Sequence, residues 1–370
     1  MTTQDRIQAL LVGSGITING SETWDPQIRQ EGFYKRVLTK ANLGLGEAFM
    51  DGWWECRQID EFICRLLKVD IKDRLKRDWP SVAIALASVL LNRQSSKRAF
   101  HIGEVHYDAG NDLYEAMLDT RMVYTCGYWK QAQTLEDAQE AKLDLVCKKI
   151  GLKAGDTVLD IGCGWGSFAK FAAERYGAQV VGITVSKEQK RLAEDRCKGL
   201  PVEIRLQDYR DVNEPFDHIV SLGMIEHVGY KNYQTYMKVA AKNLKEGGMF
   251  LLHTIGSLES GISTDPWIEK YIFPNSMLPS LAQLTKAVEG LFVVEDVQNF
   301  GADYDKTLMA WFANFHAAWP QLRDQYDERF YKMWKYYLLS CAGSFRSRRN
   351  QLWQMVLSKG GVEGVYQSVR

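Results

Sequence analysis

Residues 159–166 read LDIGCGWG. A short apolar run, Thr157 to Ile161, leads into three glycines at alternate positions, Gly162, Gly164 and Gly166, and a helix-forming stretch follows to Tyr176. That order reads as a strand, a tight turn and a helix, because glycine both makes the turn and lets a ligand approach the backbone. The alternation continues outward. Leu135 to Ile150 has helical spacing and stops at Gly151. Strand-like runs recur at Gln179–Thr184, Val202–Leu206, Phe216–Leu222, Met249–His253 and Leu291–Val297, with helical patterns over Ser186–Cys197 and Tyr233–Leu244. The pattern predicts an α/β fold, a doubly wound sheet of Rossmann-like type. Ligands of such sheets bind beyond the carboxyl ends of the strands, so residues just after each strand are the candidates.

Around the glycine loop, Asp160 ends its strand, where a carboxylate accepts either from a ligand or from the loop's own amides. The next strand ends Gly182-Ile183-Thr184, with no carboxylate to hold a nicotinamide ribose, and the loop has no P-loop lysine. A glycine loop without phosphate signals favours S-adenosylmethionine, which carries adenosine and a sulfonium but no phosphate. Ser186 to Gln189 reads as a capping box as readily as a cofactor contact. Gln207-Asp208 beside Tyr209 suits the edge and face of adenine, and reads equally as a turn capped by Asp208.

Lys and Arg together number 46, as do Asp and Glu, so the net charge is zero and nothing draws the chain to nucleic acid in general. The seven cysteines include no CxxC pair, which signals neither a zinc site nor a disulfide framework and implies a reducing, cytoplasmic compartment. No signal peptide is read at the start, and no apolar run reaches about 18 residues, the length that spans a membrane. At 370 residues two domains are expected: 1–91 N-terminal, 92–106 a linker, and 107–370 catalytic. Ser81 to Leu91 is an apolar run with basic flanks, readable as a buried helix or as one that docks on lipid.

The blocks LDIGCGWG, GITVSKEQ (182–189), GMIEHVG (223–229), LLHTIGS (251–257), HYDAGNDLY (106–114), YTCGYW (124–129) and GADYDKTL (301–308) together resemble the cyclopropane-fatty-acyl-phospholipid synthases and their mycolic-acid relatives. LGLGEAFMDGWWEC (43–56) is similar to the N-terminal extension of the long bacterial form, so the resemblance covers nearly the whole chain. It implies a transferase that adds a methylene from S-adenosylmethionine across a cis double bond of a phospholipid acyl chain. It further implies a homodimer involving the N-terminal domain, peripherally associated with the inner face of the membrane.

An alkene is a poor nucleophile, so such a reaction needs an apolar slot, stabilisation of a developing cation and a base. The resemblance assigns the base to bound bicarbonate, held by the side chains of Glu226, His253 and Tyr304 and the backbone amides of Cys126 and Ile255. Each has a plainer reading: a cap or pair for Glu226, a core histidine for His253, loop packing for Tyr304. Cys126 as a thiol nucleophile is disfavoured, since methyl transfer to an alkene needs no thiolate. His227 and His106 read as structural. The cofactor contacts carried over are Tyr124, Thr125, Asp160, Gly162, Gly164, Thr184, Gln189, Gln207 and Asp208. The substrate slot is expected from Trp267 to Leu284 and the late helices.

Overall fold

A computed structural model describes residues 2–69 and 110–370. The apolar run Ser81 to Leu91, the linker 92–106 and His106 lie outside the described residues. The chain forms two compact units, and neither follows the sequence order. The first takes the described residues of Met1–Leu91 together with Ser263–Pro274 and Tyr304–Asn350; the second takes those of Asn92–Ile262 with Asn275–Asp303 and Gln351–Arg370. The expected division at residue 107 put 263–274 and 304–350 with the catalytic part; in the structure they pack with the N-terminal helices.

The first unit is helical, with Gly32–Met50, Ile59–Lys68, Pro266–Tyr271 and Glu328–Arg346 among its helices. Two glycines set its close approaches. A Cβ at Gly46 would lie 2.4 Å from the Trp267 ring, and one at Gly343 would lie 2.3 Å from the Asp60 carbonyl oxygen. Trp267 is buried against Tyr271 and Tyr336, so it belongs to this core, and the stretch Trp267 to Leu284 is divided between the two units. Arg346 binds Asp60, Glu61 and Asp305. Burial opposes the charge of Glu47, but hydrogen bonds from Lys270, Arg36, Lys40 and Tyr271 outweigh it and hold the carboxyl at about 2.

The second unit is built on a seven-stranded sheet. Its strands are β1 (Thr157–Ile161), β2 (Gln179–Thr184), β3 (Val202–Leu206), β4 (Phe216–Leu222), β5 (Leu244–Ser257), β6 (Val293–Asn299) and β7 (Asn350–Ser358), in the order β3-β2-β1-β4-β5-β7-β6. The pairs β1–β2, β1–β4, β2–β3 and β4–β5 are parallel, and β6–β7 is antiparallel. Alternate residues feed two separate cores, as a sheet covered on both faces requires. Val158, Val180, Val220, Leu251 and Val356 pack on one face with Leu143, Val146 and Phe168. Leu159, Ile219, Phe250, Leu252 and Met355 pack on the other with Tyr236 and Leu284.

The expected strands and helices form with shifts of one or two residues, except that β5 extends to both sides of Met249–His253. Strand β7 was not expected. It lies between β5 and β6. No helix among the described residues is long and apolar enough to cross a membrane.

Candidate active site

The order reverses at β1, and the glycine loop leaves its carboxyl end there. Gly162, Gly164 and Gly166 have φ of +81°, +55° and +78°, the left-handed region that glycine enters without a Cβ penalty. The amides of Gly162 and Cys163 both donate to the Ile183 carbonyl of β2, which pins the turn to the sheet. A Cβ at Gly162 would lie 2.7 Å from Met224, whereas one at Gly164 would meet nothing within 4 Å. The loop is therefore open at Gly164. Beside it, Asp160 is 2% exposed, and its Oδ2 is buried with no hydrogen-bond partner among the described residues. Burial raises its carboxyl to about 7, against the pull of Lys142.

At the end of β2, the Thr184 hydroxyl donates to Gln189 Oε1 at 2.8 Å. Ser186 Oγ accepts from the Gln189 amide, so Ser186 caps its helix, but the Gln189 side chain is turned to Thr184 and the reciprocal half of a capping box is not made. After β3, the Gln207 amide donates to the Thr184 carbonyl. Asp208 accepts from the Arg210 amide and pairs with its guanidinium at 3.1 Å, which is the capping role.

Residues 124–126 are held by one helix, Leu135–Lys149. Gln139 Nε2 donates to the Thr125 carbonyl at 2.8 Å, and Lys142 Nζ donates to Thr125 Oγ1 at 2.7 Å. Lys142 is fully buried, and that burial lowers its ammonium to about 8, with Asp119, Cys126 and Asp160 opposing. A Cβ at Gly223 would lie 2.9 Å from Thr125 Cγ2, so this segment abuts the end of β4. Tyr124 packs edge-on against Tyr114, which in turn packs on Trp165 of the glycine loop. Gln139 and Lys142 were not anticipated as site residues. With Val146 and Lys149 they form the helix's buried stripe, and polar residues at apolar spacing were the available signal.

Four residues past β4 lies Glu226, and on β5 lies His253, the register partner of Leu222. The Gly223 amide donates to the His253 carbonyl and ties the two strand ends together. Glu226 Oε1 accepts from the Ile255 amide at 2.7 Å. The Ile255 amide, which the resemblance gives to a bound anion, is here engaged by Glu226. A buried carboxylate takes the nearest N–H, since leaving both groups unpaired would cost more. Glu226 Oε2 and His253 Nε2 are each buried without a hydrogen-bond partner among the described residues. Burial raises the Glu226 carboxyl to about 7, only partly offset by its own amide, that of Ile255 and the Thr254 hydroxyl. Burial, with Lys142 and Lys149, drives the His253 imidazole far down, so it is neutral.

Cys126 is fully buried, and burial keeps its thiol away from solvent chemistry. Tyr304 belongs to the first unit, where its ring packs on Trp311 and Phe345. His227 is buried in the short turn Ile225–His227, and burial lowers its imidazole to about 4. The second unit thus brings the glycine loop, residues 124–126, Glu226, His253 and Ile255 to the carboxyl ends of β1, β4 and β5.

Residues 94–355 match the profile of the family described as mycolic acid cyclopropane synthetase. The chain is 53% identical over 356 residues to a cyclopropane-fatty-acyl-phospholipid synthase of Escherichia coli, covering 96% of this chain and 93% of that protein. It is also similar in structure to the cyclopropane synthase MmaA2 from Mycobacterium tuberculosis, with a TM-score of 0.67 and 31% identity over 70% of this chain and 98% of that one. Mycolic acid cyclopropane synthase CmaA1, solved in complex with SAH and CTAB, gives a TM-score of 0.66 and 33% identity over the same shares of the two chains.

Proposed function

The chain belongs to the mycolic acid cyclopropane synthetase family, and on that premise we propose that it makes cyclopropane fatty acids on phospholipids. It transfers a methylene from S-adenosylmethionine to the cis double bond of an unsaturated acyl chain, with bicarbonate as the base. The open backbone at Gly164 and the unpartnered Asp160 Oδ2 fit an adenosine-bearing ligand with no phosphate. Gly162, Gly164, Thr184, Gln189, Gln207, Asp208, Tyr124 and Thr125 complete its contacts. S-adenosylmethionine, when bound, supplies an electrophilic methyl group.

The rest falls to this chain's own residues. They must exclude water and hold the alkene in line, and a proton must leave the transferred carbon so that the ring closes. The observation that carries the reading is the pair of unpartnered buried atoms, Glu226 Oε2 and His253 Nε2, at neighbouring strand ends. A donor and an acceptor so placed suit an anion that also bears a hydroxyl. Neutral His253 and the Cys126 amide donate to bicarbonate, while ionised Glu226 accepts its O–H. Ile255 acts one step back, by orienting Glu226. Two carboxylate-like anions stand side by side only with a proton between them.

We assign the docking surface to the basic-flanked run Ser81 to Leu91, outside the described residues, on a homodimer at the inner membrane face. Neutralising Arg74, Lys76 and Arg77 then weakens flotation with anionic vesicles at low salt, and sedimentation gives the dimer mass. The function itself is tested with purified protein, S-adenosylmethionine and vesicles of unsaturated phospholipid. Gas chromatography against standards is expected to show the ring product, and a branched methyl or methylene product would overturn ring closure. In decarbonated buffer turnover should fall and recover on adding bicarbonate. Unchanged turnover there returns the base to Glu226.

A further inference from the structure

The imidazole of His253 is enclosed on β5, with its Nδ1 3.2 Å from Nε2 of Gln354 on β7. Gln354 is itself fully buried. Its register partner across β6–β7 is Gln298, so the two carboxamides share a face of the sheet. Gln298 Oε1 accepts from the buried Lys149 Nζ at 2.6 Å. An ammonium and two carboxamides, with His253 beyond them, thus interrupt a face otherwise packed with Val158, Val180, Val220, Leu251 and Val356. Buried polar groups on an apolar face are costly, so each of these needs a reason.

The reason follows from donor chemistry. As placed, the Gln354 carboxamide turns its nitrogen to the ring, and a carboxamide nitrogen only donates, so in this arrangement the ring nitrogen facing it accepts. A neutral imidazole has one N–H, and if Nδ1 accepts, the hydrogen sits on Nε2. Nε2 is buried without a hydrogen-bond partner among the described residues. Phe300 packs edge-on against the ring, with centroids 5.8 Å apart, and helps hold its plane.

We propose that Gln354 is a positioning residue that fixes His253 as its Nε2–H tautomer and so makes the unpartnered nitrogen a donor toward a bound anion. The inference rests on the reading of Glu226 and His253 as an anion site, but its first test does not. Protein carrying 15N-histidine, with His253 assigned by loss of its signals in His253→Asn, reports the tautomer directly through two-bond proton–nitrogen couplings. The expected wild-type result is a hydrogen on Nε2; a hydrogen on Nδ1 overturns the proposal, whatever the variants do.

Gln354→Met keeps the side-chain length and removes the donor. The Nε2–H preference should then be lost and kcat should drop roughly 10- to 100-fold, the usual cost of a lost orienting partner, with S-adenosylhomocysteine affinity unchanged. A Gln354→Met protein with the wild-type tautomer and full kcat also overturns it. If the tautomer depends on Gln354 while turnover ignores bicarbonate, the anion reading fails and the positioning role stands.

Discussion

The Ile255 amide and Glu226 Oε1 are 2.7 Å apart, and the second carboxylate oxygen is left buried without a hydrogen-bond partner among the described residues. The carboxyl is buried and titrates near 7, so its charge changes within the working range of an enzyme. In the proposed role it must be ionised to accept a hydroxyl. Activity should therefore fall as pH drops below about 7, and Glu226→Gln should lose about 100- to 10,000-fold and no longer show that limb. Steady-state rates from pH 5.5 to 8.5, at fixed bicarbonate, give the answer.

The same group should cost stability. Its folded value of about 7 exceeds the ordinary 4.5, so between these values the folded chain holds a proton that the unfolded chain has released. Stability then declines as pH rises through that window. Glu226→Gln should remove this slope and leave the protein more stable than wild type above pH 7. Urea unfolding at several pH values reads the difference.

Gly164→Val places a branched side chain in open space at φ +55°, where a ligand is expected. The backbone penalty is about 1–2 kcal/mol, too little to unfold a domain of this size. Calorimetric titration should find S-adenosylhomocysteine binding lost in a folded protein, and wild-type affinity would remove the loop from the cofactor site.

Lys142→Met removes the Nζ that holds Thr125 Oγ1 and leaves Gln139 alone on this segment. Affinity for S-adenosylhomocysteine should fall about tenfold, the scale of one lost hydrogen bond to a charged group. Stability moves differently. Burial depresses the ammonium from 10.5 to about 8, so wild type gains stability as pH rises between these values. Lys142→Met should abolish that gain in chemical unfolding at pH 8 and pH 10.

Gly256→Ala tests the packing of the β5 end. A Cβ there would lie 2.0 Å from the buried Trp353 ring on β7. Overpacking of this kind costs about 1–3 kcal/mol, visible as a lower urea midpoint with the same m-value.

The glycine loop and the parallel half of the sheet were legible because each strand is an unbroken apolar run closed by a turn. Strand β7 was not, since Gln351 and Gln354 interrupt its apolar run and both are buried, where a polar residue is least expected. The same two-sided ambiguity hid Gln139 and Lys142, which on a helical wheel look like errors in an apolar stripe. Glu226 and His253 were found through a resemblance that ran over most of the chain; they lie after β4 and on β5, where the Ile255 amide donates to Glu226. Residues 263–274 and 304–350 could not be assigned to the first unit from sequence, because no composition change marks where the chain passes from one unit to the other.

That interleaving governs the order in which the protein can be made. The helix Ile59–Lys68 leaves the ribosome long before Gly343, which seats against Asp60, and Arg346, which binds Asp60 and Glu61. The N-terminal helices therefore wait through the synthesis of most of the sheet with their apolar faces uncovered. Domains that fold in order of synthesis avoid this interval. Here the helix Ile59–Lys68 depends on residues 343 and 346, and a nascent protein stalled before residue 343 is the form most in need of a chaperone.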